Sequence, residues 1–201
     1  MMKRVVVLFS GTGSNLEYIL RNMHGRQLQV VAAICNNPSA KGIEIARRFS
    51  VPVSILDHRD FTDRESYDRR LVEEIESYNP DLTVLAGFMR ILSSFFTERI
   101  RAVNLHPSLL PRHRGLHAIE RSYEDDSPVG GVTVHMVSAE LDGGEIVVQK
   151  EISKEGLDYQ SYYEKIRTIE KEALAEGIRM VLGLEGEEKV SRRVVDYEQK
   201  R

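Results

Sequence analysis

The sequence predicts an α/β fold: one Rossmann-like domain with a twisted, mostly parallel sheet, helices on both faces and an antiparallel hairpin near the C-terminal end. Three observations predict it. Apolar runs alternate with amphipathic stretches through the first half of the chain, a glycine-rich turn joins the first run to the first helix, and two alternating runs follow one another after residue 128. Strands that alternate with single helices form right-handed βαβ units around a parallel sheet.

Apolar runs mark the strands. Four of them lie in the first half of the chain, at Lys3–Phe9, Leu28–Cys35, Val53–Leu56 and Leu82–Ala86. The first run is rich in β-branched residues and apolar throughout, which is typical of a strand buried on both faces. Two later runs, Val129–Val137 and Glu145–Ile152, alternate apolar and polar residues on either side of the turn Asp142-Gly143-Gly144, and this pattern predicts the hairpin.

Four stretches have the residue spacing of helices: Leu16–Met23, Lys41–Phe49, Arg64–Tyr78 and Tyr159 to about Leu182. In the last two, apolar residues recur at steps of three and four, which places them on one helix face. No internal repeat or linker divides the chain. We therefore expect a single domain over residues 1–201, in which residues 185–201 form a charged peripheral tail.

Composition and charge exclude several classes of protein. The 201 residues include 28 Lys+Arg and 31 Asp+Glu, a net charge of −3, which argues against a generic nucleic-acid binder. The apolar run Val5–Phe9 is too short for a signal sequence or a membrane span. The single cysteine, Cys35, cannot form an internal disulfide or make a zinc site by itself. We expect a cytoplasmic protein, monomeric or homodimeric, that acts on small molecules and has no nucleic-acid, membrane or metal partner.

A glycine-rich loop lies where the first strand meets the first helix. It consists of Gly11, Thr12, Gly13, Ser14 and Asn15. Free backbone N–H groups and the helix dipole favour an anion there, so a phosphate is the predicted guest, although such a loop can also be a plain turn. A dinucleotide site would have a third glycine where Leu16 stands and an acidic residue after the second strand. The loop therefore favours a phosphate monoester over NAD or ATP.

The segment Val103–Pro111 carries the strongest chemical signal. Asn104 and His106 are two residues apart, so they face the same way in an extended strand, and Pro107 keeps His106 out of a helix. An amide beside an imidazole suits a developing oxyanion, because the imidazole also supplies a proton. Asp142 is either an ordinary turn residue or a carboxylate that orients His106 and favours its cationic form.

Glu170 lies inside the apolar stripe of the last predicted helix. A carboxylate on the core side of a helix is costly unless it is paired or hydrogen-bonded. A neighbouring basic side chain or backbone N–H could satisfy it, and so could a ligand.

Five segments together resemble the phosphoribosylglycinamide formyltransferases, a branch of the folate-dependent formyltransferase family. They are Ser10-Gly-Thr-Gly-Ser-Asn-Leu16, Leu85-Ala-Gly-Phe-Met-Arg-Ile-Leu92, Asn104-Leu-His-Pro-Ser-Leu-Leu-Pro111, Gly131-Val-Thr-Val-His135 and Leu141-Asp-Gly-Gly144. Their order and spacing match the family from residue 3 to about residue 182. One departure stands out: His113 and Arg114 occupy positions where family members often have an aromatic residue followed by proline.

The resemblance implies a reaction and a set of site residues. The reaction is transfer of the formyl group of 10-formyltetrahydrofolate, the co-substrate, to the amine of glycinamide ribonucleotide in purine biosynthesis, without a metal. Asn104, His106 and Asp142 are implied as the catalytic residues. The glycine loop is implied to bind the nucleotide phosphate and Glu170 the ribose hydroxyls. Formyl folate is implied to contact a further set of residues: Arg64, Met89, Arg90, Ile91, Leu92 and Asn104.

Three alternatives remain open at this level. A formyltetrahydrofolate hydrolase would use water as the acceptor in the same site. Another formyl-folate-dependent transferase, such as one that acts on transfer RNA, would call for an additional C-terminal domain and a basic surface. A nucleotide-binding module without catalysis is a more remote alternative, since it would not require Asn104, His106 and Asp142 together.

Overall fold

A seven-stranded sheet forms the centre of the protein. A computed structural model of the chain describes residues 1–184. The strands are β1 (Lys3–Phe9), β2 (Leu28–Cys35), β3 (Val53–Ile55), β4 (Leu82–Leu85), β5 (Ala102–His106), β6 (Val129–Met136) and β7 (Ile146–Ser153). Their order across the sheet is β3-β2-β1-β4-β5-β6-β7. The first five strands are parallel, and the last two are antiparallel, which confirms the predicted sheet and hairpin.

Helices cover both faces of this sheet. They are α1 (Ser14–Asn22), α2 (Gly42–Arg48), α3 (Arg64–Ser77), α4 (Ser94–Arg99), α5 (Ala118–Glu124) and α6 (Tyr159–Leu182). Helices α1, α2 and α6 share one apolar cluster with alternate residues of β1 such as Val5 and Val7, and α3 and α4 share the other with Val6 and Leu8. The continuous apolar run of β1 is therefore explained by burial on both sides. Within residues 1–184, every helix is too short or too polar to cross a membrane.

Three local features differ from the sequence prediction. Helices α4 and α5 have six and seven residues, too few to leave a periodic signal. Helix α1 begins at Ser14 rather than Leu16, because Gly13 in a left-handed conformation starts the helix directly after the glycine turn. The connection between β6 and β7 takes up residues 137–145 and is longer than a tight turn at Asp142. The predicted tail, residues 185–201, lies outside the described residues.

The strand order creates a crevice at one edge of the sheet. From β1 the chain first adds β2 and β3 on one side and then β4 and β5 on the other. Open α/β sheets bind ligands at such a reversal, beyond the carboxyl ends of the strands. The glycine loop follows β1, residues 86–92 follow β4, and His106 ends β5. All three functional segments predicted from the sequence thus meet at one edge.

Candidate active site

Asn104, His106 and Asp142 lie together at the carboxyl end of β5. The closest atoms of His106 and Asp142, Nδ1 and Oδ2, are 3.4 Å apart. The Asn104 amide nitrogen is 3.5 Å from the other oxygen of Asp142. His106 and Asp142 are both buried, and Asn104 is partly exposed. The two-residue spacing on β5 therefore does place the amide and the imidazole on one side, facing a single carboxylate.

The imidazole of His106 is held at both nitrogens. Its Nε2 donates to the backbone carbonyl of His113 at 2.8 Å, while Nδ1 faces Asp142. Burial lowers the pKa of His106 below its ordinary value, and this effect outweighs the His113 carbonyl and Asp142, which raise it. Asp142 thus acts in the expected direction, but the ring is mainly neutral near pH 7. Protonation of Nδ1 would give both nitrogens a hydrogen-bonding partner.

Asp142 is an ionised carboxylate in a constrained turn. It adopts a left-handed conformation with φ 49°, which aspartate tolerates better than most residues. Burial alone would raise its pKa, but contacts with His135, the backbone N–H of Gly115 at 2.8 Å, and His106 lower it. Beside it, Gly144 must be glycine, because a Cβ there would lie 1.7 Å from the carbonyl oxygen of Met136. The connection after β6 therefore aims a charged carboxylate at His106.

A second histidine completes the cluster. His135 on β6 lies opposite Asn104 in the antiparallel register, and its side chain is fully buried. Its Nδ1 donates to the carbonyl of Met136 at 2.9 Å, and its Nε2 lies 3.3 Å from the Asn104 amide nitrogen and 3.6 Å from Asp142. No role was assigned to His135 from the sequence. Its place in the motif Gly131-Val-Thr-Val-His135 was the available signal, but the pairing with β5 could not be derived from spacing.

The glycine loop leads into the amino end of α1. Gly13 has φ 75°, and a Cβ at this position would lie 2.5 Å from the Cα of Gly42. Gly13 therefore lets the loop pack directly against α2. A Cβ on Gly11 would instead meet no atom within 4 Å. The loop thus has one packed glycine and one open glycine.

Glu170 faces the core, as its position in the apolar stripe predicted. It is 3% exposed and accepts a hydrogen bond from Arg167 at 2.6 Å. Arg167 also donates to the Ser14 hydroxyl at 2.9 Å. Burial raises the pKa of Glu170, while Arg167 and a hydrogen bond with Asn15 oppose the rise. The neighbouring basic side chain considered in the sequence analysis is therefore present, and it joins α6 to the glycine loop. Arg167 itself was not singled out from the sequence.

The segment after β4 lies beside the glycine loop. The Ser10 hydroxyl accepts from the backbone N–H of Met89 at 2.8 Å and donates to Asn36 at 2.6 Å. Met89 and Ile91 are 66% and 58% exposed, which is unusual for large apolar side chains in a folded domain. The guanidinium of Arg90 instead stacks on the Tyr67 ring, 4.0 Å from its centroid. The segment therefore offers apolar side chains and main-chain groups to the crevice.

Arg64 faces a large cleft next to this segment. The cleft has a volume of about 820 Å³, and Arg64, Ile91, Leu92 and Ala139 are among its lining residues. Ala139 belongs to the same connection as Asp142. The cleft can hold an elongated, partly apolar molecule with an anionic end. Among residues 1–184, no three His, Cys, Asp or Glu side chains converge as they would around a metal ion.

Sequence comparison identifies the family. The formyl transferase family model matches residues 3–178, most of the chain. The chain therefore belongs to the formyl transferase family, in agreement with the resemblance that its motifs carry.

Individual relatives and solved structures show which members of the family the chain is similar to. Phosphoribosylglycinamide formyltransferase from Escherichia coli (strain K12) is 42% identical over 152 residues, which are 74% of this chain and 72% of the relative. The structure is similar to that of phosphoribosylglycinamide formyltransferase from Campylobacter jejuni, with a TM-score of 0.88, 46% identity and coverage of 90% and 98%. The trifunctional purine biosynthetic protein adenosine-3 of Drosophila melanogaster is 42% identical over 153 residues, 73% of this chain but only 11% of that protein.

Proposed function

We propose that the chain transfers the formyl group of 10-formyltetrahydrofolate to the amine of glycinamide ribonucleotide, a step of purine biosynthesis. The observation that carries this proposal is the convergence of Asn104, His106 and Asp142 at the same sheet edge as the glycine loop. Membership of the formyl transferase family and the names of the relatives support the same reaction. Both substrates are small molecules, and we expect the enzyme to work in the cytoplasm.

The nucleotide is assigned to the glycine loop. Its phosphate would accept hydrogen bonds from the backbone N–H groups of Gly11–Asn15 at the positive end of the α1 dipole. Arg167, which already bonds Ser14, adds a positive charge beside this position. Glu170 would accept from the ribose hydroxyls through its oxygens, and its pairing with Arg167 keeps it oriented for this. These groups would fix the acceptor amine relative to β5.

Formyl folate is assigned to the crevice between the segment after β4 and the connection after β6. The pterin would contact the exposed apolar side chains and the main chain of Met89–Leu92. Arg64 at the start of α3 would pair with the anionic glutamate end of the folate in the 820 Å³ cleft. This arrangement would leave the formyl group near Asn104.

The proposed reaction is a direct transfer. The amine nitrogen forms a bond to the formyl carbon, and the oxygen of the tetrahedral intermediate accepts hydrogen bonds from the Asn104 amide and the His106 imidazole. The amine then passes a proton to His106, and the cationic imidazole delivers it to the folate nitrogen as the bond between that nitrogen and the formyl carbon breaks. Asp142 stabilises the cationic imidazole in between. The two amide contacts of Asn104, 3.3 and 3.5 Å long, are weak enough to be exchanged for a substrate oxygen.

Transfer of a labelled formyl group tests the proposal. The chain is incubated with 10-formyltetrahydrofolate that carries ¹³C in the formyl group and with glycinamide ribonucleotide, and the products are identified by mass spectrometry. We expect the label in the formylated nucleotide. Unlabelled tetrahydrofolate should be released in an equal amount. Label that appears only as formate would contradict the proposal.

A further inference from the structure

The loop around His113 contacts both titratable groups of the cluster, His106 and Asp142. The His113 carbonyl accepts from His106 Nε2 at 2.8 Å, and the Gly115 N–H donates to Asp142 at 2.8 Å. Both contacts come from main-chain atoms. They therefore depend on how the loop backbone is held, and the loop is where the sequence departs from the pattern of its family.

The side chain of His113 provides an anchor for this backbone. Its Nε2 donates to Asp125 at 2.6 Å, and the side chain is 18% exposed. Asp125 also accepts from Lys154 Nζ at 2.7 Å. The side chain of Lys154 is 10% exposed and donates to three backbone carbonyls at the end of α5. Although burial opposes it, hydrogen bonds from Lys154 and His113 lower the pKa of Asp125 to about 2. The anchor is thus ionic and partly shielded from water.

Backbone conformation at His113 makes an anchor necessary. His113 has φ 56°, a left-handed conformation that L-residues other than glycine seldom adopt. Within residues 1–184, the neighbouring side chain of Arg114 pairs with Glu140 on the surface, and exposed pairs of this kind contribute little. Other side chains hold the two flanking carbonyls, since Ser108 donates to that of Arg112 and Arg121 to that of Arg114. The bond to Asp125 is the restraint made by the side chain of the residue whose carbonyl His106 contacts.

We propose that His113 is a positioning residue for the catalytic imidazole. Its Asp125-bound side chain fixes its own carbonyl, and that carbonyl holds the Nε2–H of His106 and turns Nδ1 toward Asp142. The neutral ring is thereby held in one tautomer, with its proton on Nε2 and with Nδ1 beside Asp142. The inference rests on the proposed function, since it assigns His113 a task in that reaction.

A matched pair of variants tests the role in turnover. His113→Phe keeps an aromatic ring but cannot donate to Asp125, and His117→Phe is the control. His117 has nearly the same φ, 57°, and lies in the same loop, but its side chain is 71% exposed and pairs with the exposed Glu120. Because a displacement of about 1 Å can reduce a rate about a hundredfold, we expect His113→Phe to lower kcat about ten- to a hundredfold, with KM for both substrates nearly unchanged.

Two further variants separate positioning from general damage. His113→Gln retains an N–H donor for Asp125 and should recover most of the lost kcat. Asp125→Asn should also lower kcat, and the double variant with His113→Phe should be no slower than the slower single variant, because the side chain of His113 acts through its bond to Asp125. Wild-type kcat in a folded His113→Phe, or an equal loss in His117→Phe, would overturn the proposal.

A measurement without turnover keeps this inference distinct from the proposed function. Imidazole NMR of His106 reports its pKa and the nitrogen that carries the proton. Asp142, His135 and Arg121 face His106 in the wild type and remain in the variant. We expect His113→Phe to lower the pKa of His106 further, because a carbonyl that favours the cation is displaced. An unchanged pKa and tautomer of His106 in His113→Phe would overturn the positioning role of His113. A wild-type protein that transfers no formyl group would overturn the proposed formyl transfer alone. If His113→Phe does not fold, kcat and the His106 titration are measured in Asp125→Asn instead, and the same outcomes apply.

Discussion

At the scale of single residues, His106 carries the proton chemistry of the proposed reaction. His106→Ala removes the proton donor and half of the oxyanion contacts, while its place at the end of β5 leaves the sheet intact. A general acid is typically worth about 10²–10⁴-fold in rate. We expect kcat to fall by that amount with folate binding retained, as measured by steady-state kinetics and calorimetry. More than half of the wild-type kcat in the variant would rule out the role.

Asp142 favours the cationic form of the His106 imidazole. Its carboxylate is one of two groups that raise the pKa of His106 against the stronger effect of burial. In Asp142→Asn the negative charge is gone, so the pKa of His106 should fall further and the cationic fraction at neutral pH should shrink. NMR titration of His106 in the two proteins checks this. An equal or higher pKa in the variant would leave Asp142 as a turn residue.

Residue spacing predicted part of this cluster. Asn104 and His106 could be placed on one side of a strand because the strand period is two. The neighbour of Asn104 across the sheet is His135, and this pairing depends on the register between β5 and β6, which no local pattern encodes. Likewise the inward direction of Glu170 followed from the helical stripe. Its link through Arg167 to Ser14 joins residues 153 positions apart and required the structure.

At the scale of elements, the amino end of α1 with its glycine loop is the proposed phosphate site. Gly13 is a poor place to test it, because a side chain there would collide with Gly42. Gly11 is better, since a Cβ meets nothing within 4 Å. We expect Gly11→Asp to weaken binding of glycinamide ribonucleotide about tenfold or more through charge repulsion, and to leave folate binding unchanged.

Gly11→Ala is the matched control for this charge effect. It adds the same Cβ without the carboxylate, so its nucleotide affinity should stay close to that of the wild type. Calorimetric titration of the three proteins with each substrate measures the difference. Equal weakening by alanine and aspartate, or weaker binding of both substrates, would contradict a phosphate site at the loop.

Element length decided which helices the sequence could predict. The long stripes of α3 and α6 gave clear signals, whereas α4 and α5 span fewer than two full turns of helix. Short helices of this kind are held by tertiary packing: Phe96 of α4 is fully buried against α3, and Ser122 of α5 bonds the Tyr162 hydroxyl of α6. Their existence is therefore set by residues distant in sequence.

At the scale of the whole molecule, Asp125 connects the loop after β5 to the end of β7. Its pKa of about 2, against about 3.8 for a free carboxyl, corresponds to roughly 2 kcal/mol of folding free energy. Because the folded-state pKa is lowered, this stabilisation is complete above about pH 4 and is lost as the pH falls through about 2. We expect Asp125→Asn to be less stable than the wild type near pH 7, and the gap to close toward pH 2.

Denaturant unfolding followed by circular dichroism at several pH values measures that gap. The exposed pair of Arg69 and Glu65 supplies a control, since Glu65→Gln should change the free energy of unfolding by less than about 1 kcal/mol at any pH. A stability difference for Asp125→Asn that stays constant from pH 7 to pH 2 would show that the carboxylate charge has no part in holding the loop.

The fold as a whole followed from alternation of strands and helices, because a parallel sheet buried on both faces leaves an unmistakable apolar pattern. The glycine loop, residues 86–92 and His106 each come at the carboxyl end of a parallel strand, and these ends lie on the same side of a sheet. Their meeting at one edge is therefore a consequence of the parallel arrangement. The path of the connections after β5 and β6 did not follow from the sequence pattern. These loops place the His113 carbonyl against His106 and the Gly115 N–H against Asp142, and such backbone contacts depend on conformation more than on residue type.

Release of tetrahydrofolate with and without glycinamide ribonucleotide shows whether the nucleotide amine or water accepts the formyl group. The glycine loop and the Asn104–His106 pair share one sheet edge, so an anchored phosphate would hold the acceptor amine at the formyl carbon. Such positioning can contribute on the order of 7–11 kcal/mol at best, and water gains nothing from it. We expect tetrahydrofolate to be released rapidly when the nucleotide is present and slowly in its absence. Equal rates in the two reactions would contradict this expectation and identify water as the acceptor.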